Sequence, residues 1–137
     1  MTMIGAEGVG PIAADVAAAS ATGLEPQFAG ALAYLAGPFS GAIILLAERS
    51  NRFVRFHAWQ AIIGLGGLAL IGLALLFTAF VGLFVSPTVF TVFYWLAGVA
   101  ILAWLVAWAF CLVKAFGGVA WKLPLAGDRA EKRALNV

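Results

Sequence analysis

One histidine, one cysteine and six carboxylates are the groups in this 137-residue chain that could ligate a metal or move a proton. The histidine lies in "RSNRFVRFHAWQ", Arg49 to Gln60, together with Arg49, Arg52 and Arg55. A lone imidazole with no Cys, Asp or Glu at ligand spacing is a poor metal site, and a proton relay needs a second ionisable group. A hydrogen bond from His57 across helices, with Gln60 alongside, is the favoured role. Cys111 has no second cysteine to pair with and sits in an apolar run, where a thiol behaves as a small buried hydrophobe. The chain carries no nucleophile–base set, no H-E-x-x-H and no phosphate loop. An enzyme is therefore the least expected class, and no catalytic residue, metal ligand or cofactor follows from the sequence. Trp104 and Trp108, one helical turn apart, could line a pigment, a quinone or a partner contact. Packing is the commoner use of such a pair.

The elements that hold these residues follow from composition. The chain is 64% hydrophobic and 10% charged, with mean hydropathy +1.06. A water-soluble fold needs about a quarter of its residues charged. An all-α integral membrane protein is expected. A net charge of +2 is too small to suggest nucleic acid. Phe28 to Leu46, Ala58 to Phe84 and Phe90 to Val113 are uncharged, and each is near or above the roughly 20 residues that a 30 Å hydrocarbon core requires. Ser86 and Pro87 read as a helix cap followed by proline at the first helical position, which makes the second link a tight turn. Three spanning helices (28–46, 58–84, 90–113) form a domain over 28–114. An extramembrane tail over 1–27 precedes it and an interfacial tail over 115–137 follows. The acidic, Ala-rich first segment has no basic residue ahead of an apolar core, so it is no secretory signal, and it reads as a mobile tail.

Charge orients the spans. The loop from Ala47 to Phe56 is net +2 and the tail after Val113 net +3, whereas the first segment is −3. Three crossings put both basic segments on one side, in the cytoplasm of a cell inner membrane, with the N-terminus outside. Arg49, Arg52 and Arg55 would then reach lipid phosphates while Phe53, Phe56 and Trp59 sit in the apolar boundary. Trp95 and Trp121 also fall near expected interfaces. Ala29, Ala33, Gly37 and Gly41 recur every fourth residue as a helix-packing face, and Pro38 should kink that helix. Gly117-Gly118 ends the third span. Asp128 and Glu131 beyond it could pair with Arg49, Arg52 or Arg55.

"ALAYLAGPFSGAIILLAERSNRFVRFHAWQA" followed by "WKLPLAGDRAEK" resembles a widespread family of small prokaryotic membrane proteins of unknown function. The family is distantly similar to a membrane component of the chloroplast protein-import translocon, and it includes magnetosome membrane proteins of the MamF and MmsF type. Arg55, Phe56, His57, Ala58 and Gln60 match its central motif. Lys122, Leu123, Pro124, Gly127, Asp128, Ala130 and Glu131 match its tail. The resemblance runs from about Ala31 to Lys132 and implies a multi-pass membrane protein, with no particular activity attached.

What remains is an interaction protein: an accessory or scaffold subunit of a larger membrane assembly, with lipids and other membrane subunits or its own copies as partners. The alternative is a homo-oligomeric pore or protein-translocation component.

Overall fold

The computed structural model describes residues 10–136, and every regular element among them is helical. In chain order these are α1 (Gly10–Ala14), which runs into a 3-10 turn at Asp15–Ala17, then α2 (Pro26–Leu35) and α3 (Pro38–Ala47). They are followed by α4 (Arg52–Gly82), α5 (Pro87–Phe116) and α6 (Ala126–Leu135). Local chemistry sets the starts. Asn51 caps α4 by accepting from the Val54 N–H at 3.2 Å, and Ser86 caps α5 by accepting from Val89 N–H at 3.2 Å. Proline opens α2, α3 and α5, where its missing N–H costs nothing.

The long helices α4 and α5 have 31 and 30 residues, so each is about 45 Å long and exceeds a 30 Å hydrocarbon core. Their burial divides them. On α4 the buried side chains concentrate between Phe53 and Leu65, and on α5 the stretch beyond Leu102 buries Cys111 and Ala115. Along the far part, Leu70, Leu73, Phe77, Val92, Val99 and Leu102 face outward. The protein is a bare apolar hairpin, ready for lipid, with a packed helical cap at one end. Five residues of α4, Ala61–Leu65, wind as π-helix where the cap gives way to the hairpin.

The first apolar segment departs from the expected span. It is two ten-residue helices broken at Gly37, each about 15 Å long and too short to cross. Gly37 has φ +62 and ψ −130, a conformation that only glycine adopts readily, and Pro38 then restarts the chain as α3. The expected kink is a reversal. Both ends of the α2–α3 hairpin return to one layer, because the Glu48 carboxylate just after α3 bonds Ser20 and Ala21 just ahead of α2. At its tip the Ser40 hydroxyl accepts from Ala36 N–H at 2.8 Å and donates to Ala33 O at 2.9 Å, serving backbone groups that the break leaves over.

The first segment is likewise no loose tail from residue 10 onward; the part of that expectation on 1–9 lies outside the described residues. Ile12 is fully buried in the cap, and Asp15 pairs with Arg52 at 3.0 Å. These contacts correct the expected sidedness. Residues 10–25, the α3–α4 loop and α6 share one layer, so the described N-terminal residues lie on the same side as the C-terminal helix. Helix α6 stands antiparallel to the start of α4: Ala126 meets Gly64, Arg133 lies over the Trp59 ring at 5.1 Å, and Leu135 lies beside Asn51 and Arg52.

Candidate functional site: a closed polar joint

Inside the cap, Tyr34, His57 and Gln60 are fully buried, one helix away from lipid. The Tyr34 hydroxyl is 2.7 Å from His57 Nδ1, and Gln60 Nε2 donates to that hydroxyl at 2.9 Å. Gln60 Nε2 also donates to Trp121 O at 2.9 Å, while its Oε1 accepts from Leu123 N–H at 2.8 Å. The Tyr34 hydroxyl thus stands between the Gln60 amide, from which it accepts, and the His57 ring nitrogen. Phe53, Phe56 and Tyr34 close round the ring edge-on, with centroids 4.5, 5.1 and 5.4 Å away. Nε2 has no partner in hydrogen-bonding geometry. His57 thus joins α2 to α4, and among the described residues no group of three His, Cys, Asp or Glu side chains could hold a metal ion.

Gln60 is the residue where the two motif stretches meet. It ties α4 to the irregular run after α5 by the backbone of Trp121 and Leu123, so sequence-distant "RFHAWQ" and "WKLP" form one contact. Cys111 Sγ lies 3.9 Å from Gln60 Nε2 and is otherwise packed in the apolar core. Next to it, Lys122 bonds Asp128 at 3.0 Å and Glu131 at 3.1 Å. These two carboxylates were expected on Arg49, Arg52 or Arg55; the short Lys122-to-α6 turn supplies a nearer cation. The Lys122 hydrogen bond to Asp128 raises the lysine's pKa and lowers that of the carboxyl. Gly127 makes the turn feasible, because a Cβ there would lie 2.4 Å from Lys122 Cβ. Pro124 stands ahead of it, exposed, where the run bends into α6.

The arginines separate. Arg49 is exposed, Arg52 pairs with Asp15, and Arg55 donates to Glu48 O at 2.9 Å. Among the described residues, Arg49 is the one of the three that no partner engages. Phe53 and Phe56, expected at the lipid boundary, are fully buried beneath α2 and α6. The Arg52 side chain, bonding Asp15, holds that carboxyl below its ordinary 3.8. Burial acts to raise the pKa of Glu48, but donors from Asn51, Ser20, Ser50 and Ala21 outweigh it and hold the group below 4.5. Glu48, Asn51 and Tyr34 organise the cap, and sequence reasoning passed over them. A carboxylate and an amide between apolar runs were the available signal.

The small-residue face is divided by the break. Ala29 and Ala33 are buried on α2, Gly37 turns against the Trp104 ring so that an added Cβ would lie 3.1 Å from it, and Gly41 lets α3 approach so closely that an added Cβ would lie 2.9 Å from Ala58 O. Trp104 and Trp108 stack 6.4 Å apart, and their indoles donate to Leu65 O at 2.9 Å and Tyr34 O at 2.8 Å. They fasten α5 to the end of the π segment and to the end of α2.

Cap and hairpin together define a small helical membrane protein whose polar interior is a structural joint. The chain belongs to the MamF/MmsF family, described as the magnetosome magnetite crystal formation protein family, which it matches over residues 17–129. It is 37% identical over 110 residues to a UPF0132 membrane protein of Archaeoglobus fulgidus, covering 80% of this chain and 96% of that one. Two UPF0132 membrane proteins of Methanocaldococcus jannaschii are 36% and 34% identical, over 80% and 82% of this chain and 89% and 72% of theirs. No solved structure matches the chain. The family is one of small prokaryotic membrane proteins of unknown function, as the motifs implied.

Proposed function

We propose that the protein is a non-enzymatic accessory or scaffold subunit of a membrane assembly. The observation that carries this reading is the contrast between its two ends. The polar side chains of the cap bond mainly to one another, and even the surface hollow of about 370 Å³ beside Asp15, Asn51 and Arg52 is lined by side chains already paired within the chain. The hairpin leaves Phe77, Phe80, Phe84 and Trp95 outward, with an apolar groove of about 290 Å³ between α4 and α5. A rigid cap that fixes the spread of a bare hairpin suits a part that other helices pack on.

A pore built from several copies is less well supported. Thr78 and Thr91, two of the few polar side chains of the hairpin, bond Ala74 O and Pro87 O of their own helices at 2.8 and 2.9 Å, so they offer water little. A direct part in mineral formation, as the family's description suggests, would need free carboxylates. Of the five carboxylates among the described residues, Asp15, Glu48, Asp128 and Glu131 are engaged within the chain, which leaves the exposed Glu25 alone and no cluster to meet a mineral. By the positive-inside rule the cap, with its surplus of Lys and Arg, faces the cytoplasm from the cytoplasmic membrane, and the described N-terminal residues face it too.

The test is extraction of the full chain from its own membrane into native nanodiscs, followed by affinity capture, mass spectrometry and sizing. A stoichiometric second membrane protein is expected. A closed ring of this chain alone, which conducts ions when reconstituted, would replace the subunit reading with the pore.

A further inference from the structure

The groove of about 520 Å³ runs along one face of α5, between Val99, Ala103, Val106 and Phe110, and ends under Trp121 and Leu123. It is apolar throughout and open on the side that faces lipid. At 100° per residue, Lys114 falls on the same face as Val99, Ala103 and Phe110, one turn beyond Phe110 towards the cap. Among the described residues no carboxylate reaches Lys114, whereas the neighbouring cation Lys122 holds two. Trp121 packs against Phe110 with ring centroids 5.8 Å apart, and its backbone is fixed by Gln60. The groove's wall is therefore built by the polar joint.

We infer that this groove with Lys114 at its head is a binding site for one anionic phospholipid, its acyl chain along Val99 to Phe110 and its phosphate on Lys114. Length and charge both fit. From Val99 to Lys114 the helix rises about 22 Å, close to the roughly 20–22 Å from the bilayer midplane to the headgroups, the reach of a whole acyl chain and its phosphate. Ala103 and Ala107 hollow the face between larger neighbours, and an indole at the headgroup level beside a lysine is the arrangement that receives an interfacial lipid. The site is distinct from the arginines of the opening motif, and it stands whether or not the protein is a subunit.

The experiment uses the full chain in nanodiscs containing equal phosphatidylcholine and phosphatidylglycerol, with native mass spectrometry counting the lipids retained on transfer to mild detergent. One phosphatidylglycerol per chain is expected to persist. Lys114→Gln should lower its retention relative to phosphatidylcholine about fivefold, and Lys114→Arg should restore it. Ala103→Phe, which fills the groove and leaves Lys114 in place, should remove the retained lipid of either kind. Equal retention of both lipids by the unmodified chain would overturn the proposal. So would a Lys114→Gln chain that keeps its preference, or an Ala103→Phe chain that still carries its lipid with the cap's melting temperature unchanged.

Discussion

Asp15 is the residue by which the N-terminal segment holds the cap, and its chemistry makes that hold dependent on pH. The carboxylate accepts from both Arg52 N–H at 2.8 Å and Arg52 Nε at 3.0 Å, filling the start of α4 with a negative charge. Because its pKa is lowered in the folded state, the pair contributes stability above pH 3.8, and that contribution is lost as the pH falls through the folded value. Glu48 acts in the same direction below 4.5. Arg52 is 38% exposed, so solvent screening keeps the contribution of the ion pair small. A spin label at Ala19→Cys should therefore be least mobile at pH 6, gain mobility as the pH falls below 3.8, and tighten again on return. In Asp15→Asn it should be more mobile at pH 6 than in the unmodified chain and should respond less to acid. Identical spectra at pH 3 and 6 would show that the segment is held by apolar contacts such as Ile12 alone. Cys111 is buried and does not compete for the label.

At the scale of elements, the decisive one is the α2–α3 hairpin, and its reversal rests on one glycine. Gly37→Ala puts a methyl group in a backbone conformation worth about 1–3 kcal/mol of strain and within 3.1 Å of Trp104. It should lower the melting midpoint in detergent. Gly67→Ala, on α4 with open space about its Cβ, should raise or keep it, since alanine favours a helix by up to about 1 kcal/mol. Equal responses of the two variants would mean that Gly37 is an ordinary helical position. The other helix boundaries were legible because they carry local chemistry: Ser86-Pro87 announces α5, and Gly117-Gly118 ends it. The hairpin was not, because 19 uncharged residues satisfy the length of a span whether they run straight or fold back. Gly37-Pro38 signalled a bend but not its angle. In the joint, helical spacing placed His57 and Gln60 on one inward face. Their partners Tyr34, Trp121 and Leu123 come from elements 23 to 63 residues away, and no periodicity reports such contacts.

For the whole molecule, the apolar surface is oblique to the long helices. Pro38 meets Gly66 and Gly41 meets Ala58 and Ala61, so α3 lies at the height of the first four turns of α4, with Phe39, Ile43 and Leu46 outward. On the opposite flank, Ala126 meets Gly64, and at the same height α6 turns Asp128, Arg129, Lys132 and Arg133 outward. One flank is apolar over nearly the full 45 Å of the long helices and the other only over the part beyond Gly64. A bilayer about 30 Å thick matches both when the molecule leans towards its α3 side. The consequence is a labelling pattern that a three-span arrangement cannot produce. With a membrane-impermeant maleimide on sealed vesicles, Ala19→Cys, Arg49→Cys and Lys132→Cys should all react from one face and Thr88→Cys from the other. Ile43→Cys, level with α6, should react from neither. Three crossings would instead put Ala19 with Thr88, so the face from which Ala19 is labelled decides between the two topologies in one experiment.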